Sequence, residues 1–303
     1  MDALPATFVP LPGGHSGESF LAEVAGEQTV VRIYGPRSAR RGPLAPEVDA
    51  AVLRLVRGLL PVAEVLEVRR AGPAGESPGL LVTSRLPGER LEDVLPGLDR
   101  DGLARVGGTL GTVLGRLGHM AMPRPGAFVD RDLTIAPMPR EAADLRSWVE
   151  HHRDRLAWPT GDLDRLRRVA DRAQPLLDLT DRCCLVHSDF NPKNVLVDPE
   201  TLDVTGLVDW EYAHSGSPYA DLGNLLRFER DPSFADAVVA GYSAFLPARA
   251  ASAPDDLLDR ARAADLFALV DLAARRGDNP VAARAHDLLL AVARTGDLAA
   301  VPG

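Results

Sequence analysis

The stretch HSDFNPKN, residues 187–194, stands between two short apolar runs, CCLV and VLV. Such runs, bounded by turn residues, indicate short β-strands. A further strand follows the DPET turn and ends at VDWE, residues 208–211. The pattern therefore predicts that the polar side chains of Asp189, Asn194 and Asp209 emerge at the same end of a small β-ribbon.

Two carboxylates and an amide in this arrangement are hard oxygen ligands. Mg²⁺ prefers a few such ligands together with phosphate oxygens and water. The spacing D-x-x-x-x-N, with a second aspartate fifteen residues after Asn194, is the one that a kinase-like site needs. In such a site one aspartate orients and deprotonates the attacking hydroxyl, while the asparagine and the second aspartate hold the metal.

Together with VDWEYAHSGSPYADLGNLL, the stretch HSDFNPKN resembles the aminoglycoside phosphotransferase family, within the protein-kinase-like superfamily. Enzymes of this family move the γ-phosphate of a nucleotide onto a small-molecule hydroxyl. The resemblance covers most of the chain. It implies Asp189 as catalytic base, Asn194 and Asp209 as Mg²⁺ ligands, and His187 and Asp221 as residues that brace the catalytic loop.

The chain divides into a strand-rich and a helical part. In residues 1–85, short apolar runs separated by glycine-rich turns predict three strands, one amphipathic helix and two more strands. After the break at LPGERL, apolar residues at helical spacing dominate. The predicted fold class is α+β. It has a protein-kinase-like two-lobed form: a nucleotide-binding lobe over 1–85, with a small antiparallel sheet and one helix, and a larger, mainly helical lobe over 86–303. The second lobe would carry the catalytic loop and the acceptor site.

The nucleotide-binding residues are sought where this fold predicts them. LPGGHSGES lies between the first two strands, so Ser16 and Gly17 are predicted to approach the phosphates through backbone N–H groups. No G-x-x-x-x-G-K-[ST] occurs, which excludes a Walker-type P-loop. The third strand offers Arg32 where a phosphate-gripping lysine is expected, as in choline-kinase-like relatives. Adenine would bind backbone groups of the hinge, around Ser84 and Leu86.

An acidic residue on the following helix should pair with Arg32. Two candidates remain open: Asp49 fits the family-like pattern acid-A-A-x-L-x-x-L better, whereas Glu47 has the longer reach. Lys193 is the single lysine among 34 basic residues. It could touch a phosphate or the acceptor, or it could simply face solvent.

Composition excludes several classes of protein. With 46% hydrophobic and 25% charged residues the chain has the composition of a soluble globular protein. A net charge of −9 argues against a duplex nucleic-acid partner. No apolar run approaches the ~20 residues of a membrane span. The two cysteines are adjacent and badly placed for a disulfide, which favours a reducing, cytoplasmic location. No obligate protein partner is evident.

The sequence thus predicts an Mg²⁺-dependent O-phosphotransferase that uses ATP or GTP. The acidic excess falls entirely in residues 86–303, which favours a cationic acceptor. An aminoglycoside or a basic peptide antibiotic of the capreomycin and viomycin type would be such a cationic acceptor. Phosphorylation of the antibiotic would then imply antibiotic resistance or self-protection. The alternatives are a kinase of a macrolide, a choline-like alcohol or a sugar, and a non-catalytic binding module with a kinase-like shell.

Overall fold

The structure, a computed structural model, describes residues 7–11, 18–24, 27–35, 41–72, 77–246 and 254–302. They form two compact units. The first unit draws on the segments Met1–Leu98, Phe128–Ala136 and Pro192–Ala213. The second draws on Asp99–Ala127, Pro137–Asn191 and His214–Gly303. The first unit contains the residues 1–85 that the sequence predicts as one lobe, and the division falls inside HSDFNPKN, between Asn191 and Pro192.

The first unit is built on a five-stranded antiparallel sheet in the order β1-β2-β3-β5-β4. Its strands are β1 (Thr7–Pro10), β2 (Glu18–Val24), β3 (Glu27–Tyr34), β4 (Val65–Arg69) and β5 (Gly79–Ser84). Helix α1 (Ala45–Val56) follows β3, and Gly58 with φ +86° lies just beyond its end. The predicted order of three strands, a helix and two strands is confirmed.

A smaller antiparallel sheet of the first unit carries the second half of the motif. It pairs β11 (Val195–Val197) with β12 (Val204–Leu207) and with β6 (Glu89–Arg90). The short helix α2 (Leu91–Val94) follows β6 directly, and β9 (Ile135–Ala136) belongs to the same unit. The β11–β12 hairpin is the ribbon that the sequence predicts.

The second unit is mainly helical. Its helices are α3 (Arg100–Gly118), α4 (Leu145–Leu156), α5 (Thr160–Asp178), α6 (Ala220–Leu225), α7 (Pro232–Ser243), α8 (Pro254–Ala273) and α9 (Pro280–Thr295). Apolar faces of α4, α5, α8 and α9 share one core, with Leu166 and Leu289 almost fully buried. Strands β7 (Ala121–Met122), β10 (Cys183–Val186), β13 (His214–Gly216) and β8 (Gly126–Phe128) pair antiparallel in that order. The α+β class is confirmed.

Helix α3 packs against α7 along a row of glycines. Gly107, Gly111 and Gly115 recur every fourth residue, so they lie on one face of α3. A Cβ atom at Gly111 would come within 2.2 Å of the Val238 carbonyl oxygen, whereas a Cβ at Gly108 would meet nothing within 4 Å. The glycines weaken the helix in isolation, but those on this face allow the two helix backbones to approach closely.

This contrast makes a stability test. We expect Gly111→Ala to lower the free energy of unfolding by about 1–3 kcal/mol, because the new methyl group must push two backbones apart. Gly108→Ala should instead raise it by up to about 1 kcal/mol, because alanine favours the helix and has room. Denaturant unfolding of both variants measures the difference. Equal effects of the two substitutions would contradict the close packing of α3 on α7.

Candidate active site

The loop after β10 is held in place by a buried carboxylate. Asp221, in α6, accepts the backbone N–H of His187 at 2.7 Å and that of Ser188 at 2.8 Å. Burial raises the pKa of Asp221, while the charge of His187 and the two N–H groups act in the opposite direction. Asp221 thus makes the contacts with this loop that the predicted bracing role requires. His187 is buried, and its ring packs edge-on against Phe190 with centroids 5.9 Å apart.

Asp189 is half-buried at the turn of this loop. The side-chain amide of Asn191 donates to its carboxylate Oδ1 at 2.7 Å and to its backbone oxygen at 3.1 Å. Ser188 precedes it with φ +71°, a conformation that costs a non-glycine residue free energy and needs support from its surroundings. Asp221 provides that support through the Ser188 N–H. The carboxylate of Asp189 is therefore oriented before any substrate binds.

The β11–β12 hairpin brings Asn194 and Asp209 together in the first unit. Val195 pairs with Leu207, and the N–H of Val208 donates to the Asn194 carbonyl at 3.0 Å. Asp209, the next residue, has φ +65°, so its chain turns away at the end of the ribbon. The sequence prediction that these two residues lie at the same end of the ribbon is confirmed. Their role as a pair of metal ligands stays a prediction.

The guanidinium of Arg32 binds two carboxylates next to this end of the hairpin. Its Nη1 lies 3.0 Å from Asp209 Oδ1, and its Nη2 lies 2.6 Å from Glu211 Oε2. Burial disfavours the charge on Arg32, but Asp209 and Glu211 outweigh it, and the net result is a raised pKa. The side chain of Glu211 is 2% exposed. An arginine, a buried acid and the candidate metal ligand thus form one group.

The structure gives Arg32 a different partner from the one that the sequence predicts. Asp49 accepts the hydroxyl of Tyr34 at 2.6 Å and pairs with the guanidinium of Arg41. Glu47 pairs with Arg70 at 2.8 Å. In the described residues the acidic partners of Arg32 are Asp209 and Glu211, which follow β12 in the chain. They contact Arg32 of β3 through tertiary packing, whereas the sequence placed the expected partner on α1.

The remaining nucleotide-binding candidates lie in and after β5, or outside the described residues. Ser84, the last residue of β5, exchanges hydrogen bonds with Glu64: its N–H donates to the Glu64 carbonyl, and its hydroxyl accepts the Glu64 N–H, both at 2.9 Å. Leu86 packs over Gly206 of β12. Ser16 and Gly17 lie outside the described residues. Lys193 is half-buried rather than fully exposed.

A sequence model of the phosphotransferase enzyme family, APH, matches residues 7–254. The chain belongs to this family. Solved structures of similar fold include a thermostable mutant of the aminoglycoside phosphotransferase APH(4)-Ia in ternary complex with AMP-PNP and hygromycin B. It is 20% identical with a TM-score of 0.67, over 96% of this chain and 95% of that one. A microcompartment-associated aminopropanol kinase is 18% identical with a TM-score of 0.67, over 95% and 91% of the two chains.

Among curated proteins, this member of the phosphotransferase enzyme family is similar to acyl-CoA dehydrogenase family member 10 of Mus musculus. The two are 24% identical over 225 residues, which is 72% of this chain. The chain spans about a fifth of the length of the mouse protein. In the part of the chain that the structure describes, no helix has the length and apolar character needed to cross a membrane.

Two residues of the candidate site were not committed to a role from sequence. Asn191 stands two residues after Asp189. A short amide at that spacing can bond back to the aspartate, which is a signal that sequence could have used. Glu211 stands two residues after Asp209, and only the packing of β3 beside the hairpin shows that it holds Arg32.

Proposed function

We propose that the chain is a nucleotide- and Mg²⁺-dependent O-phosphotransferase that acts on a hydroxyl of a small molecule. The observation that carries the proposal is the group formed by Asn194, Asp209 and Arg32. It combines oxygen donors at one end of a hairpin with a cation that suits phosphate. Membership of the phosphotransferase enzyme family supports the same reading.

The donor set fits a magnesium ion. Asn194 and Asp209 would each supply one side-chain oxygen, and nucleotide phosphates and water would complete the shell. Among the described residues no cluster of three or more His, Cys, Asp and Glu is placed to hold a metal. When bound, Mg²⁺ supplies neutralisation of the phosphate charge.

Side chains of the protein would bind the phosphate and accept the proton of the attacking hydroxyl. Arg32 would exchange Asp209 for phosphate oxygens while Glu211 keeps its guanidinium in place. Asp189, oriented by Asn191, would accept the proton of the attacking hydroxyl. The AMP-PNP bound by the related APH(4)-Ia mutant favours ATP as the donor to test first, with GTP as the alternative.

For the acceptor, we propose a cationic antibiotic, an aminoglycoside or a capreomycin- or viomycin-type peptide, with resistance or self-protection as the consequence. The acidic charge of residues 86–303 and the hygromycin B bound by the APH(4)-Ia mutant support it. Macrolides, choline-like alcohols and sugars are the alternatives, and the aminopropanol kinase of similar fold favours including amino alcohols. The free cysteines fit a reducing cytoplasm.

Acceptor-dependent consumption of ATP and GTP, with mass spectrometry of the acceptor, tests the proposal. A phosphorylated cationic antibiotic is the expected result. Transfer to another acceptor class would overturn the antibiotic assignment and keep the phosphotransferase. No transfer to any acceptor, with nucleotide still bound, would favour the non-catalytic binding module.

Arg32 has its own test. We expect Arg32→Gln to raise the KM for the nucleotide by about ten- to a hundredfold, because hydrogen bonds between charged groups contribute about 1.5–3 kcal/mol. Arg69→Gln, on the exposed side of β4, removes the same charge and should leave the KM unchanged. Steady-state kinetics at varied nucleotide concentration measure both. An unchanged KM in Arg32→Gln would remove Arg32 from the phosphate site.

A further inference from the structure

Asn224 is a buried polar residue of α6 that stands beside the loop carrying Asp189. It comes three residues after Asp221, so the two side chains leave neighbouring positions on one face of the helix. Only 6% of Asn224 is exposed. The helix is packed tightly against α8, since a Cβ atom at Gly223 would clash with the Ala261 carbonyl oxygen. The backbone from which Asn224 projects is therefore held firmly in place.

The amide of Asn224 contacts the peptide group that joins Ser188 to Asp189. Its Nδ2 donates to the Ser188 carbonyl oxygen at 3.3 Å. The N–H of the same peptide group, which is that of Asp189, donates to His187 Nδ1, also at 3.3 Å. Each hydrogen bond is long, but the two act on one planar group from opposite ends. Because rotation of this group would carry the Asp189 side chain with it, these bonds orient Asp189.

Together, Asp221 and Asn224 hold the backbone of Ser188 on both sides of its Cα atom. Asp221 accepts the Ser188 N–H at 2.8 Å, and Asn224 donates to the Ser188 carbonyl. Fixing the two flanking peptide groups fixes both φ and ψ of this residue. Ser188 has φ +71°, a conformation that persists only where its surroundings enforce it. Asp221 alone would leave ψ, the torsion next to Asp189, without this restraint from α6.

The other end of the Asn224 amide is costly to bury. Its Oδ1 is buried and has no hydrogen-bond partner among the described residues. The orientation of the amide follows from its contact, because the Ser188 carbonyl can only accept and must face the NH₂ group. A buried acceptor without a donor destabilises a protein, and an apolar side chain of similar size would avoid that cost. The stability of the fold therefore does not explain an amide at this position, whereas its donor contact with the loop does.

We propose that Asn224 is a positioning residue for phosphoryl transfer. It acts through the Ser188–Asp189 peptide group and keeps the Asp189 carboxylate where it can accept the proton of the attacking hydroxyl. This role rests on the proposed function, in which Asp189 is the base, and it holds for any class of acceptor. The contacts of Arg32 with Asp209 and Glu211 lie in the first unit. Loss of the Asn224 amide should therefore affect kcat and not the KM for nucleotide.

The variant Asn224→Leu, which is close to asparagine in size, removes both the donor and the unpartnered oxygen. We expect kcat to fall by about ten- to a hundredfold, because a small misplacement of a catalytic group can cost up to about a hundredfold. The KM for nucleotide should stay as in wild type. The midpoint of denaturant unfolding should be unchanged or raised, because loss of one long hydrogen bond is offset by removal of a buried unsatisfied acceptor. Steady-state kinetics and denaturant unfolding of the same preparations measure these effects.

Thr180→Val is the matched control. The Thr180 hydroxyl, just after α5 in the same unit, is also buried without a hydrogen-bond partner in the part of the chain that the structure describes. Valine has nearly the same shape, so the unfolding midpoint should again be unchanged or raised, while kcat should stay as in wild type. Asn224→Ala, which removes the amide without adding bulk, repeats the kinetic test if the leucine variant does not fold.

Amide hydrogen exchange of residues 187–191 gives a measurement without turnover. Exchange in this segment should be about tenfold faster or more in Asn224→Leu, because the loop opens more easily, and unchanged in Thr180→Val.

An unchanged kcat in the folded Asn224 variants would overturn the positioning role. So would a fall in kcat no larger than the unfolded fraction explains, or an equal fall in Thr180→Val. If the wild-type protein phosphorylated no acceptor of any class, the proposed function would fail. Faster exchange of residues 187–191 in Asn224→Leu would then still support the hold of Asn224 on the loop, and unchanged exchange would overturn it.

Discussion

Replacing Asp189 by asparagine should reduce kcat by about 10²–10⁴-fold and leave the protein folded. The substitution keeps the shape of the side chain but removes its ability to accept a proton, which is the contribution expected of a general base. Such a loss corresponds to about 3–5 kcal/mol of the activation barrier. Because Asn191 already orients this side chain, the loss should fall on kcat rather than on the KM for nucleotide.

Phosphoryl-transfer kinetics and thermal unfolding of the same preparations measure this result. Asp181→Asn is a suitable control, since Asp181 is an exposed aspartate of the same unit, just before β10. It should behave as wild type in both assays. If Asp189→Asn retained activity within threefold of wild type, Asp189 would not be the base, and the mechanism would have to be reassigned.

Replacing Asp221 by alanine should lower the free energy of unfolding by about 2–5 kcal/mol. The change leaves the N–H groups of His187 and Ser188 without an acceptor, and each unsatisfied buried donor costs about 1–3 kcal/mol. Removing a buried carboxyl group recovers part of that cost. Because the loop would no longer hold Ser188 at φ +71°, activity should fall even in protein that remains folded.

Denaturant unfolding and single-turnover transfer on the folded fraction separate the two effects. Asp231→Ala is the matched control: Asp231 accepts the Ser233 N–H at 2.8 Å at the start of α7, but it is exposed, so water can replace it. Its loss should cost only about 0.5–2 kcal/mol, as for other helix caps, and leave transfer unchanged. Equal destabilisation by the two substitutions would show that Asp221 is not a buried brace.

Much of the fold could be predicted from sequence because the signals are local. Apolar alternation and turn residues predict strands over ESFLAEVA, TVVRIYG and GLLVTSRL, and helical spacing predicts helices over residues 98–120 and 160–179. The structure places β2, β3, β5, α3 and α5 within about two residues of these bounds. The sequence MPREAADLRSWVEHHRDRL, which begins at Met138, predicts a helix over its whole length. Helix α4 begins seven residues later, at Leu145, because Asp144 caps it by accepting the Ser147 N–H. An aspartate before an apolar residue indicates the N-terminus of a helix, so this start could have been predicted from sequence.

In the candidate site, local sequence patterns predicted some contacts and not others. The spacing of Asn194 and Asp209 fixes their meeting, because a hairpin of known length has few registers. The acidic partner of Arg32 could not be predicted from sequence spacing. Choosing between Glu47 and Asp49 presumed an acid on α1, whereas the structure pairs these with Arg70 and Arg41.

The sequence by itself determined the family, the α+β class, the candidate catalytic loop and the residues proposed for base and metal, because these depend on residue type and short spacing. Only the tertiary structure decided that Glu211 and Asp209 hold Arg32, and that Asp49 pairs with Arg41 instead. Such contacts join residues up to about 180 positions apart, and their free energies come from burial and charge in three dimensions. No periodic pattern in the sequence predicts these contacts.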